Sequence, residues 1–275
     1  MEVSALWFAF IAAAAVILRE GLEAALILAA LSGVLRKLGA AAGAFRMLWI
    51  GALSALLLSI ALVATTTNLA IHIPVQYQEI FEGVVGILAV IVLFFVINWL
   101  FHYTYIHRWR KFIESGARRA LGSGAVAGLA FLGFVIVIRE GIETALFIPA
   151  MIAAQNTTGT IGGIFVGAIV TAIAIWGILQ GSIRLPIRAV FTFTTTILII
   201  LGLTILGSSI HEFQEIGWLP ETRLAFMPDA GWLRKPFGIY PYLETLLAQL
   251  AMGLALVASW HIAARRDAPK QAGNS

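Results

Sequence analysis

Two short charged stretches interrupt a chain that is otherwise strongly apolar. Arg19, Glu20, Gly21, Leu22 and Glu23 spell R-E-G-L-E, and Arg139, Glu140, Gly141, Ile142 and Glu143 repeat it as R-E-G-I-E 120 residues later. The flanks match as well, V-I-L-R-E-G-L-E-A-A-L-I against I-V-I-R-E-G-I-E-T-A-L-F. On a helix, residues three or four apart share a face. Glu20 therefore projects with Glu23 and Glu140 with Glu143, while Arg19 reaches Glu23 and Arg139 reaches Glu143. Each copy neutralises itself in part and keeps one uncompensated negative charge. Brought together, the copies offer carboxylate oxygens and a net negative charge, which is the donor set of a multivalent, oxygen-liking cation. Gly21 and Gly141 thin the helix beside the acids, allowing either close helix approach or a local unwinding that frees carbonyls. The competing structural reading is an interhelical salt-bridge lock without a ligand. Against it stands the cost of a charge at mid-bilayer depth, on the order of 2.5 to 3.5 kcal/mol each, which makes intramembrane ionisable residues functional by default.

The elements that must position these residues are membrane spans. Sixty per cent of the 275 residues are hydrophobic and 12% charged, and the mean hydropathy is +0.95. That composition excludes a soluble domain and predicts an all-α polytopic membrane protein forming one bundle. There is no cysteine, so disulfides and thiolate ligands are excluded. The net charge of +4 lies in short connections between apolar runs, as topology signals do, and gives no reason to expect nucleic acid. No Lys or Arg precedes the first apolar run, so it reads as a first span rather than a cleaved leader.

Windows long enough to span fall at 5–33, 47–70, 79–103, 124–153, 161–182, 189–211 and 241–262. Basic and non-basic connections alternate between them. Arg36, Lys37 and Arg46 lie in the first, a cluster from Arg108 to Arg119 in the third, Arg184 and Arg188 in the fifth, and Arg265, Arg266 and Lys270 in the tail. The positive-inside rule then predicts an external N-terminus and a cytoplasmic C-terminus in the cytoplasmic membrane. With the motif copies three spans apart, in the first and the fourth, 5–103 and 124–211 form two three-helix repeats of opposite orientation, 212–240 an external loop and 241–262 an extra seventh helix. Such inverted repeats place a substrate site at their interface near the midplane.

A second acidic set belongs at the external face. Glu79 and Glu82 lie three apart at the start of the third span; His211, Glu212 and Glu215 close the sixth. The predicted topology puts both ends on the outer side, where they would concentrate cations above the midplane site. The plainer reading is of solvated acids at helix ends. His72, His102, His107 and His261 read as interfacial or structural.

Paired R-E-G-L-E-type motifs in the first and fourth of seven spans, with E-I-F-E-G opening the third, resemble the oxidase-dependent iron permease family. This family includes fungal high-affinity ferric permeases and bacterial permeases of an acid-induced uptake system. The resemblance covers residues 5–262. It implies that Arg19, Glu20, Glu23, Arg139, Glu140 and Glu143 are transport residues, with Glu79 and Glu82 an additional iron-binding pair. It implies Fe3+ or Fe2+ as the transported substrate, no permanently bound cofactor, and a separate extracytoplasmic iron-oxidising or iron-binding partner. Ile142 replaces the usual Leu. Some relatives are described as lead permeases. The residues alone leave other cations open, Mn2+ and a Ca2+ exchanger among them. A membrane carboxylate di-metal oxidase is the enzymatic alternative, but such centres usually add Glu-x-x-His motifs, and the chain has none.

Overall fold

The computed structural model describes residues 2–101, 127–179, 187–228 and 230–267. The basic connection expected between the third and fourth spans, Arg184, Asp229 and the tail beyond Asp267 lie outside them. Among the described residues there are seven long helices, one short one and no strand. They are α1 (Glu2–Lys37), α2 (Ala42–His72), α3 (Val75–Phe101), α4 (Ala127–Ala154), α5 (Thr157–Leu179), α6 (Ile187–Glu215), the short α7 (Gly231–Phe237) and α8 (Leu243–Asp267). Five of them, α2, α3, α5, α6 and α8, are long and apolar enough to cross a membrane. At 36 and 28 residues, α1 and α4 are also long enough for a ~30 Å hydrocarbon core. What sets these two apart is the charged motif at the middle of each. The chain is a multi-pass helical membrane protein.

Main-chain hydrogen bonds close within each helix, so packing depends on how near the helices can come. Glycines set that approach. In α5, Gly159, Gly163 and Gly167 follow at every fourth position and seat against α1: Gly159 on Leu6 and Ala9, Gly163 on Phe10 and Ala13, Gly167 on Ala14 and Ile17. Residue numbers rise together, so α1 and α5 run parallel. In the same way Gly51 of α2 meets the Ala130 backbone of α4, and Gly133 of α4 meets Leu48 and Ala52. Further along, Ser59 meets Gly141, so α2 and α4 are parallel too. By contrast α3 and α6 are antiparallel, with Gly83 against Phe213, Gly86 against Ser209 and Leu93 near Gly202.

These three pairs are the main helix contacts. Exchanging α1 with α4, α2 with α5 and α3 with α6 leaves the scheme unchanged. The outward faces carry Leu57 and Ile60 on α2 and Phe165, Ile169, Ile173 and Trp176 on α5, all exposed as lipid-facing side chains should be. Inside, one apolar cluster joins α1, α3, α4, α6 and α8 around Val16, Leu93, Phe147 and Leu201. A second joins α1, α2 and α4 around Leu31, Leu48 and Leu129.

The connection between α6 and α8 is ordered rather than loose. Helix α6 continues to Glu215 and ends only where Gly217 takes φ +74°, the left-handed conformation glycine adopts without strain. The Gln214 amide donates to the Pro220 carbonyl at 2.8 Å, and Gln249 of α8 donates to the Leu203 carbonyl at 2.8 Å and to the Gly238 carbonyl at 3.0 Å.

Because Gly163 has the Phe10 backbone and Ala13 against it while Gly253 of α8 has open space, the two should respond oppositely to a larger side chain. Overpacking costs about 1 to 3 kcal/mol or more, so Gly163→Leu should lower the apparent melting temperature of the detergent-purified protein by at least about 2 °C. Gly253→Leu should leave it unchanged.

Candidate cation-binding site

Glu20 and Glu140 each sit at the middle of their helices, with roughly equal lengths of apolar helix on either side. Neither helix breaks at its motif glycine. Both Gly21 and Gly141 lie within continuous α-helix, and neither has positive φ. Of the two uses a glycine offered at the sequence level, close approach is the one present.

The two copies are deployed differently. Arg19 is buried, 1% exposed, among the largest enclosed side chains in the molecule. Its Nη1 donates to Glu20 Oε1, and its Nη2 lies 3.4 Å from Glu23 Oε2. In the second copy Arg139 is 22% exposed; its Nε donates to Glu143 Oε1 at 3.2 Å and stands 3.9 Å from Glu140 Oε1. The i, i+4 pairing expected from spacing is present in both.

Across the helices, Glu20, Glu140 and Glu143 each bring a carboxylate oxygen to within 4.8 Å of the other two, and all three residues are buried. Glu23, paired with Arg19 and 19% exposed, stands outside this trio. No N–H or alcohol hydrogen bond from the described residues reaches either oxygen of Glu140, or Oε2 of Glu20 and Glu143. A buried carboxylate oxygen without a donor is costly. A cation is the group that would satisfy several at once. Oxygens bound to one ion at about 2.1 to 2.5 Å lie at most about 4 to 5 Å apart, so the trio fits one coordination sphere of a hard or borderline cation. Four glutamates against two arginines give the two motifs a formal charge of −2.

The outer acids also converge. The antiparallel α3–α6 pair brings Glu79 and Glu82 to the same end of the bundle as His211, Glu212 and Glu215, and the charges of Glu82, Glu215 and Glu79 all bear on Glu212. Glu79 is exposed, whereas Glu82, one turn deeper, is half-buried and accepts from Gln78 Nε2 at 2.8 Å. His211 Nε2 lies 3.1 Å from Glu215 Oε1. Its ring lies tilted by 31° against Tyr240, with centroids 3.9 Å apart, an aromatic neighbour that spacing along the chain does not reveal. His72 and His261 approach carbonyls one turn back, at Asn68 and Val257, a structural use; His102 and His107 lie outside the described residues. The sequence reading also passed over three hydroxyls beside the motifs: Thr144, bonded to the Glu140 carbonyl at 2.8 Å, Ser59 and Thr171.

The chain is 27% identical over 246 residues to an iron permease, EfeU, of Bacillus subtilis, covering 89% of this chain and 50% of the relative. It therefore spans half the length of that protein. It is 28% identical to a ferrous iron permease, EfeU, of Escherichia coli, covering 77% of this chain and 76% of the relative. An uncharacterised protein of Archaeoglobus fulgidus is 31% identical over 72% of this chain and 68% of its own length. No solved structure matches. The model of the iron permease FTR1 family matches residues 10–219, through both charged motifs and both ends of the outer acidic set. The chain belongs to the iron permease FTR1 family.

Proposed function

We propose that this protein is an iron permease that carries iron inward across the cytoplasmic membrane, binding it at Glu20, Glu140 and Glu143. The observation that carries the reading is the convergence of three buried carboxylates, contributed by both motif copies, within one coordination sphere. Family membership and the printed names of the relatives support iron as the cargo. Fe2+ matches the formal charge of −2 and is the oxidation state in the name of the Escherichia coli relative; Fe3+ is the form to test beside it.

The exchange symmetry of the helix pairs supports two inverted three-helix repeats within seven spans. In this arrangement α1, α3, α5 and α8 enter from outside and α2, α4 and α6 leave toward it. The N-terminus is then external, and α7 lies at the outer face. Glu79 and Glu82, with His211, Glu212 and Glu215 opposite, capture the cation at the outer end of α3 and α6. From there it passes to the motif site, and rocking of the two repeats about that site exposes it inward. Arg19 and Arg139 pair with the acids and serve as counter-charges when the site is empty. Oxidation or delivery of iron is the work of a separate extracytoplasmic protein.

Iron uptake into proteoliposomes, with Fe2+ under reducing conditions and Fe3+ under oxidising ones, tests this. Glu20→Gln and Glu140→Gln should each lower uptake by at least about tenfold, as loss of a placed ligand does, at unchanged abundance in the membrane. Normal uptake by either variant would refute the site. Calcium outcompeting iron would shift the assignment to an exchanger.

Removing Arg19 alone should be worse than removing it together with a partner. An uncompensated buried charge costs about 3 to 5 kcal/mol, so Arg19→Met should prevent recovery of folded protein. Arg19→Met with Glu20→Gln, which removes the most buried partner as well, should restore folding, read by size-exclusion profile, without restoring transport.

A further inference from the structure

We propose that Thr171 of α5 and Ser59 of α2 are positioning residues for the carboxylate trio. Each fills the notch left by the motif glycine on the facing helix, and so sets how close the glutamates stand. The inference rests on reading the trio as the cation site.

A Cβ placed on Gly21 would lie 2.5 Å from Thr171 Cγ2, but 3.6 and 3.7 Å from Thr171 Cβ and Oγ1. The obstruction is one methyl group. A Cβ on Gly141 would overlap the Ser59 hydroxymethyl. Both hydroxyl residues are buried, each 7% exposed. Thr171 Oγ1 also crosses between helices to the Ile17 carbonyl, at 3.4 Å, one turn before Gly21. The Ser59 hydroxyl is engaged within its own helix, donating to the Ala55 carbonyl at 2.7 Å, which leaves its bulk as its contribution to α4.

These two pairs correspond under the exchange that relates Gly163–Phe10 to Gly51–Ala130, so the same device occurs once per motif. Since the backbone at both glycines is ordinary helix, space rather than conformational freedom is what they supply. Glu20 directly precedes Gly21, and Glu140 directly precedes Gly141. A separation of α1 from α5 at Gly21, or of α4 from α2 at Gly141, therefore displaces a carboxylate of the trio. Metal coordination tolerates only about 0.2 Å, less than the shift a methyl group would force.

The test is a double-mutant cycle on the purified protein. Fe2+ binding is measured anaerobically, uptake is resolved into KM and Vmax, and thermal unfolding is followed without metal. Gly21→Ala should weaken Fe2+ binding at least about tenfold and raise KM. Thr171→Ser, which removes Cγ2 and keeps the hydroxyl, should empty the notch and weaken binding by about two- to fivefold on its own, and should return the double variant to within about threefold of the parent. Gly163→Ala, which crowds the same two helices near Phe10, should lower the melting temperature without weakening binding. The positioning role is overturned if the Gly21→Ala defect persists in the double variant, or if Gly163→Ala weakens binding as much as Gly21→Ala. If the parent protein binds no Fe2+, the cation reading falls instead. The thermal cycle then decides the packing alone: recovery by Thr171→Ser upholds the notch and its absence overturns it.

Discussion

Carboxylates enclosed within an apolar helix bundle impose the constraint from which the rest of this molecule follows. Water cannot solvate them, and the described residues supply too few donors to satisfy them. Each must be met by an arginine, another helix or an ion. The first copy meets the demand internally, with Arg19 enclosed between Glu20 and Glu23. The second does so less fully, because Arg139 is engaged mainly by Glu143 and Glu140 faces the opposite helix. A pocket of net negative charge results, built from two helices that cross at their midpoints.

Around that pocket the packing is arranged by small residues rather than by a hydrophobic driving force, which lipid removes. The α1–α5 and α2–α4 pairs are parallel and glycine-lined; they hold the motif helices from outside, while α3 and α6 close the bundle and carry the outer acids. The apolar clusters around Phe147 and around Leu31 lie to either side of the carboxylates along α1 and α4. Along α1 and α4 the charged layer is thus bounded by an apolar layer on either side.

Much of this was legible in the chain. Charge inside apolar runs located the motif, the 3.6-residue period put its acids on one face, and alternation of basic connections gave helix directions that the parallel and antiparallel pairs match. The division of labour between Glu23 and Glu143 was not legible. The motifs are nearly identical, and which acid turns to the partner helix depends on rotation about an axis that a single span does not specify. Ser59 and Thr171 were also invisible, since hydroxyls in apolar helices routinely bond one turn back and only the facing glycine gives them meaning. The every-fourth-residue glycines of α5 did carry a readable signal. Helix α7 carried almost none, being seven residues long with a proline at position 236.

The parallel pairing has a consequence for biosynthesis. Helix α1 finds its principal neighbour, α5, about 150 residues downstream, on the order of ten seconds of translation. Throughout that wait α1 carries its charges without its companion. The i, i+4 contact between Arg19 and Glu23 lies wholly within α1 and needs no other helix. The arginine enclosed in the finished bundle thus also escorts its own segment through the interval before the bundle can assemble.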